Sequence, residues 1–447
     1  MQAKKVSIAG AGLVGSLLAI YLAKKGHKVD IYERRPDMRR AQMSAGKSIN
    51  LALSDRGWRA LEGVGIKDEI LKEAIPMFKR VMHAVDGTLT EQAYGKEGQA
   101  IYSVSRGGLN QTLMTLAERE GVKIHFEQRC AEVKLEEGEA TFENKAGEMT
   151  TVSSDLLFGA DGAFSAVRAA MQRQDRFNYQ QEYIEHGYKE LNIPANADGT
   201  HRLEKNALHI WPRGNFMMIA LPNPDGSFTC TLFLGYEGTP GFDMLSDDRA
   251  VLNFFNTYFP DAVPMMPTLL EDFNTNPTAS LVIIRCYPWV RGNSCLIGDS
   301  AHAIVPFYGQ GMNAGFEDCT ALNDLMEQYG GDWDSILDEF QMQRKPAGDA
   351  IAALAMRNFV EMRDLTGDPN FLLQKKIEGK FFTKYPERWM PLYSMVTFSH
   401  IPYHEAWNEG QRQDKIMAEI MAMPDIEAKW DSEEVEREWL RLTAANS

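Results

Sequence analysis

Three groups of residues in this 447-residue chain have the types and spacing to work on a bound nucleotide. The first is Gly10-Ala11-Gly12-Leu13-Val14-Gly15, a G-x-G-x-x-G run between an apolar strand pattern at 6–9 and a helical pattern at 16–25 that Gly26 stops. Gly10 permits a tight turn and Gly12 lets backbone approach a pyrophosphate. Gly15 lets helix pack on strand, so the helix N-terminus faces the negative charge. A second strand pattern at 29–33 ends on Glu33, whose carboxylate can accept bonds from an adenosine ribose and would repel a 2′-phosphate. NAD or FAD is therefore expected at this turn rather than NADP. Arg34 and Arg35 follow, where solvated charge at a strand end and contact with the cofactor are equally open readings.

The second group is Asp161-Gly162, between a buried-strand pattern at 155–159 and a helix start, a further place where glycine lets backbone come close to a ligand. The third begins at Gly298-Asp299, where a strand delivers a carboxylate to its end, ready to hold a hydroxyl group. It continues into Gly309-Gln310-Gly311-Met312-Asn313-Ala314-Gly315, which opens a long helix whose free amides and dipole favour negative charge. Pro306 and Phe307 stand just before that helix as walls beside a ring. His302, next to a strand end, reads as a satisfied structural histidine rather than a base. Arg106 heads a helical stretch, where its plain reading is a surface charge.

The elements that must position these groups come from a chain that is 44% hydrophobic and carries a formal charge of -15. Such an acidic balance argues against nucleic acid or an anionic membrane surface as partner. Five scattered cysteines with no Cys-x-x-Cys pair argue against zinc or a dithiol and fit a reducing cytosol, and no metal site is expected. Residues 6–23 carry no charge and follow Lys4 and Lys5, which imitates an anchor, but the three spaced glycines argue otherwise. No other apolar run approaches membrane-spanning length, and no membrane anchor is expected. Strand-like segments at 187–191, 207–211, 216–220 and 228–233, with turn signals such as Asn223-Pro224-Asp225-Gly226, predict an inserted antiparallel sheet. Its apolar, aromatic and methionine side chains can line a dry pocket for a ring-shaped substrate.

In this order the three groups resemble the GxGxxG, DG and GD motifs of the class A FAD-dependent aromatic hydroxylases, over the N-terminal three quarters of the chain. Local runs are similar to the kynurenine 3-monooxygenase family: residues 46–54, 208–213, 216–223, the long GD segment and 390–400, with the likeness fading after about Trp407. The resemblance implies an α/β fold with a Rossmann-like FAD-binding domain in three pieces, 1–75, 100–175 and 285–345. An antiparallel-sheet substrate domain would comprise 76–99 and 176–284, and a C-terminal helical region 346–447. It implies tightly but non-covalently bound FAD at Gly10, Gly12, Leu13, Val14, Gly15, Glu33, Arg34, Arg35, Ala52, Arg106, Asp161, Asp299, Gly311, Met312 and Asn313. Asp161 would also lie near a transient nicotinamide cofactor, and Arg168 would be a structural tie.

By the same resemblance, Arg80 and Tyr94 match the pair that holds a substrate carboxylate, and Asn358 and Tyr393 match polar pocket residues. From the sequence alone Arg80 reads as a solvated strand charge and Asn358 as an ordinary polar helix position. The implied reaction is hydroxylation of L-kynurenine to 3-hydroxykynurenine in tryptophan degradation, with NADPH as transient co-substrate and O2, through a C4a-hydroperoxyflavin. No protein base is required; Pro306 and Phe307 flank the reacting face. The absence of a second Rossmann unit suggests a nicotinamide cofactor that visits and leaves. A cytoplasmic enzyme is implied, and a homodimer stays open. The competing readings are a hydroxylase of another aromatic such as a hydroxybenzoate, and a non-catalytic FAD-binding sensor.

Overall fold

The computed structural model describes residues 2–40, 50–365 and 368–445, so residues 46–49 of the family-like run lie outside the described residues. At its centre the strands Ser294–Leu296, Leu156–Gly159, Lys5–Ala9, Lys28–Glu33 and Lys123–Phe126 lie side by side and parallel, with Val290–Arg291 antiparallel at one edge. The helix Leu13–Lys24 packs over this sheet with residues 15–22 all buried. Burial of residues 6–11 and 15–22 explains why 6–23 carries no charge: strand and helix are both core, and no polar face is needed. Ile8, Leu17, Ile31, Phe158 and Leu296 have no exposed surface; each such side chain contributes about 1.5–3 kcal/mol by leaving water. Among the described residues no helix is long and apolar enough to cross a membrane.

The second large sheet has seven strands in the order Ala279–Tyr287, Asn178–Ile193, Phe228–Gly235, Met217–Pro222, Ala207–Pro212, Lys79–His83 and Leu89–Ala93. One pairing departs from the expected antiparallel pattern: Lys79–His83 runs parallel to Ala207–Pro212, with Arg80 opposite Leu208. These two strands are far apart in sequence, so no hairpin forces them to run in opposite directions. Both faces of its central strands are covered. Met217, Phe233 and Leu208 face the interior of the molecule, whereas Trp211, Met218 and Leu232 pack under the helices Asp248–Tyr258 and Leu269–Thr275. Double coverage explains why 216–220 reads as a continuous apolar run rather than an alternating one. A smaller antiparallel sheet of Asn50–Leu53, Ile101–Ser105 and Ile75–Met77 bridges the two large ones.

The helix Gly311–Tyr329 leads into Trp333–Val360, and the C-terminal helices Pro369–Lys384, Tyr403–Met421 and Glu433–Ala445 build a core of their own around Trp389 and Trp439. A buried chain of charges crosses these layers. Arg56 pairs with Glu317 and bonds the carbonyls of Val396 and Ile401, with its guanidinium 4.0 Å from the ring of Tyr403. Arg344 bonds Glu317 at 2.7 Å and Asp318 at 2.7 Å, and Asp318 accepts from His302 Nε2 at 2.6 Å. Burial pushes the Glu317 and Asp318 carboxyls up. Arg344 and Arg56 beside Glu317, and His302 and Arg344 beside Asp318, outweigh it and hold both below the usual carboxylate range.

Because these folded-state values are depressed, the stabilisation is present above the unfolded carboxyl range near about pH 4 and is lost as the pH falls through the folded values. The variant Glu317→Gln leaves two buried arginines short of counter-charge and is expected to destabilise by about 3–5 kcal/mol. The check is the thermal midpoint against pH: lowered in the variant at neutral pH, with a shallower fall on acidification than in the wild type.

Candidate functional site

A cavity of about 500 Å³ runs between the two large sheets, from the first glycine turn to an aromatic chamber under the C-terminal helices. Of the residues singled out for a cofactor, all but Gly15 and Asn313 line it, and Pro306, Phe307, Arg80, Tyr94, Asn358 and Tyr393 line it as well. Gly10 sits at φ +103°, and a Cβ there would lie 2.5 Å from the Ala160 carbonyl oxygen. A Cβ at Gly15 would lie 2.1 Å from the Gly10 oxygen, so Gly15 acts behind the turn, on its packing. Gly12 differs: it has φ -73° and ψ 179°, and nothing lies within 4 Å of its would-be Cβ. Its open side faces the cavity and is a cradle that a side chain would fill, as a pyrophosphate site needs. Glu33 closes the next strand, with Oε2 accepting the Ala11 amide and Oε1 the Arg35 amide, both at 2.9 Å. It therefore holds the turn in shape besides offering its remaining lone pairs to a ligand.

Farther along, Gly298 at φ +60° turns the chain so that the short helix Asp299–His302 begins at the cavity wall. Behind it Ser300 ties the DG and GD segments together: it accepts from the Gly162 amide at 2.9 Å and donates to Asp161 Oδ1 at 3.2 Å. Asp161 Oδ2 accepts the Ala166 amide at 2.6 Å, so this carboxylate is partly committed to the fold. Arg168 bonds the carbonyls of Ser300 and Ala163, the tie expected of it. His302 is buried against Asp318 and Trp289 rather than in the cavity. The amides of Gly311, Met312 and Asn313 precede the first backbone bond of their helix, Ala314 N–H to Gln310 C=O. The Asn313 side chain is turned inward, accepting from the Ser54 amide and donating to Ala52 and Gly309 carbonyls. What it can offer a ligand is its backbone, while its amide group locks the small sheet to the helix start.

The other half of the cavity is apolar and aromatic. Strand alternation sends Arg80 into it, whereas His83, on the opposite face, is buried against Trp211 and Asp261. The Arg80 guanidinium lies 4.9 Å from the Tyr94 ring and 4.6 Å from the Tyr393 ring, and no carboxylate pairs with it among the described residues. Tyr94, Tyr393 and Tyr308 form a stack with 5.5 Å between successive centroids. The Tyr94 hydroxyl is buried beside the Arg80 guanidinium, with no other polar partner among the described residues. Burial raises the phenols of Tyr94 and Tyr308, so both stay protonated donors. Asn358, buried on the long helix, donates to the Phe307 carbonyl at 2.6 Å, and Phe359 stacks on Phe307 at 4.0 Å. The C-terminal helices thus set the wall beside the glycine-rich helix start.

Sequence reasoning missed Tyr308, Met362 and Gln128, which also line the cavity. Met362 lies four residues after Asn358 on the continuing helical turn, a spacing that could have found it. Gln128 had no local signal; it precedes the strand Arg129–Lys134, whose place beside the first sheet is a tertiary outcome. The open side of Gly12 supplies a direct check. Its backbone angles suit any residue, so Gly12→Val is expected to fold with the wild-type melting temperature of the apoprotein but to retain no flavin, read from the visible absorbance of the purified protein.

Residues 3–355 match the family model described as an FAD binding domain. The kynurenine 3-monooxygenase of Flavobacterium johnsoniae is 54% identical over 440 residues, covering 98% of each chain. That of Sus scrofa is 43% identical over 421 residues, covering 93% of this chain and 88% of its own. The likeness to the bacterial protein extends past Trp407, where the recognisable local runs stopped. Among solved structures, the tetrameric form of 2-methyl-3-hydroxypyridine-5-carboxylic acid oxygenase superposes with a TM-score of 0.67 at 21% identity, over 83% of this chain and 95% of that one, which is a likeness of fold. With a glycine turn, a carboxylate closing the second strand at the cavity, a helix start at the cavity wall and this degree of identity along almost the whole chain, the protein belongs to the FAD-binding kynurenine 3-monooxygenase family.

Proposed function

We infer that the protein hydroxylates L-kynurenine to 3-hydroxykynurenine, consuming NADPH and O2, as a cytoplasmic step of tryptophan degradation. The observation that carries this reading is the pairing of Arg80, a cation with no carboxylate partner among the described residues, with the buried hydroxyl of Tyr94 beside it in an apolar chamber. Such a pair wants an anionic acceptor, and an amino-acid carboxylate joined to an aromatic ring satisfies both it and the chamber. When bound, FAD supplies the redox chemistry, taking electrons from NADPH and activating O2.

The remaining steps belong to this chain. In this reading Gly12 and the helix start behind it receive the pyrophosphate, Glu33 the adenosine ribose and Asp299 a hydroxyl of the cofactor's sugar chain. The amides of residues 311–313 favour negative charge at the ring edge. Arg80 and Tyr94 fix the carboxylate end of the substrate, so that the ring carbon beside its amino group is held toward the wall formed by Pro306 and Phe307. Asn358 holds that wall through the Phe307 carbonyl, and Tyr393 keeps the guanidinium and Tyr94 in register. The aniline nitrogen of the substrate activates its own ring, so positioning and exclusion of water are the protein's main contributions. Substrate binding that completes the chamber would also explain why reduction should wait for substrate.

NADPH oxidation by the flavin-loaded protein is expected to rise on addition of L-kynurenine, with 3-hydroxykynurenine formed in step. Stimulation that yields only peroxide, or an equal response to a hydroxybenzoate, would overturn the substrate assignment. Replacing Arg80 by Met is expected to raise the KM for L-kynurenine roughly 100-fold, the loss of about two charged hydrogen bonds, while leaving oxidation of NADPH without substrate unchanged. Tyr94→Phe should lower the stimulation of NADPH oxidation by substrate; undiminished stimulation would remove Tyr94 from this role.

A further inference from the structure

The turn that presents Asp299 to the cavity is held from behind by a residue with no surface in the site. Asp318 is fully buried on the helix Gly311–Tyr329. Its Oδ2 accepts the Gly298 amide at 3.1 Å and His302 Nε2 at 2.6 Å, which are the two ends of the Gly298–His302 turn. Its Oδ1 accepts Arg344 Nε at 2.7 Å. Gly298 itself is in the left-handed region at φ +60°, with the space its Cβ would take already bounded by Val14 at 3.1 Å. On its far side the turn meets Gly348 of the long helix, where a Cβ would lie 3.0 Å from His302 Cβ. A single buried carboxylate thus clamps both ends of a short, conformationally demanding turn, and its orientation is fixed by a guanidinium that is itself buried.

We propose that Asp318 is a positioning residue for FAD: by gripping the Gly298 amide and His302 while Arg344 holds its other oxygen, it fixes the turn that offers Asp299 to the cofactor. It touches neither cofactor nor substrate and acts through the turn. The neighbouring Glu317 pairs with Arg56 and Arg344 but bonds no atom of residues 298–302, so the two adjacent carboxylates of one network divide their tasks. Asp318 serves the cofactor and Glu317 the packing of the C-terminal helices. This rests on the assignment of the cavity to FAD, which binding by the wild-type apoprotein checks separately.

The experiment is a titration of apoprotein with FAD, followed by flavin fluorescence and compared with the thermal midpoint of each apoprotein. Asp318→Ala is expected to weaken FAD binding at least about tenfold, and Asp318→Asn, which keeps an acceptor for the Gly298 amide, to recover most of that loss. Glu317→Gln should lower the thermal midpoint yet bind FAD like the wild type. If Asp318→Ala alone fails to fold because Arg344 keeps only Glu317 as counter-charge, the double variant Asp318→Ala with Arg344→Met removes one buried charge of each sign and should show the same loss of FAD affinity. Wild-type affinity in the folded Asp318 variants overturns the proposal, and so does an equal loss of affinity in Glu317→Gln, since either result would make the clamp a matter of general stability. A wild-type apoprotein that takes up no FAD would instead fail the cavity assignment.

Discussion

The architecture depends on two arginines buried where only paired charge is tolerated. Arg56, just past the small sheet, and Arg344, on the long helix, meet across Glu317 and Asp318 on the glycine-rich helix. Desolvating four charges is costly, and the cost is offset only when every partner is present in the right geometry. This makes the arrangement nearly all-or-none. The first parallel sheet, the helix start that faces the ligand and the C-terminal helices are joined through one network, and the Arg56 bonds to the carbonyls of Val396 and Ile401 bring in the segment that carries Tyr393.

From that junction the two halves of the cavity acquire opposite characters. On the nucleotide side the chemistry is done by backbone: a glycine turn with one open face, a helix start with unbonded amides, and carboxylates already anchored by neighbouring amides. Such groups need no rearrangement to receive a ligand, which lowers the ordering cost of binding. The other half is lined by aromatic rings and one cation. The Tyr94, Tyr393 and Tyr308 stack holds Arg80 among aromatic faces, where a guanidinium is tolerated in apolar surroundings without a carboxylate to neutralise it. A net charge of -15 makes such an unpaired cation conspicuous, because the rest of the surface repels anions.

Much of the nucleotide half was legible in sequence because its requirements are local. Gly10 must adopt a positive φ, Gly15 must let two backbones touch, and Glu33 must end the second strand; each demand falls on one residue type at one spacing. The DG and GD turns were legible for the same reason, and so was the structural reading of His302. The roles of Asp161, Glu33 and Asn313 were read too narrowly. Their side chains are engaged in bonds to amides and carbonyls of Ala166, Ala11 and Ala52, partners that nothing in the local pattern names. The inserted sheet was visible as apolar segments, but the parallel pairing of Lys79–His83 with Ala207–Pro212 was not, since strand direction between distant segments is set by the crossover rather than by composition.

The chain's order of residues determined by itself where backbone would have to bend, approach or start a helix, because those constraints act within a few residues. It also determined that residues 6–23 are core, once the glycines are weighed against their lack of charge. Only the tertiary structure decided which polar side chains are free to meet a ligand. Arg80, Arg56 and Arg344 are all arginines in mixed surroundings, yet one faces a cavity with no carboxylate partner among the described residues and two are locked in ion pairs with Glu317 and Asp318 on another helix. Whether a charge is spent on the fold or left for function depends on what packs against it, and that is a property of contacts between distant segments.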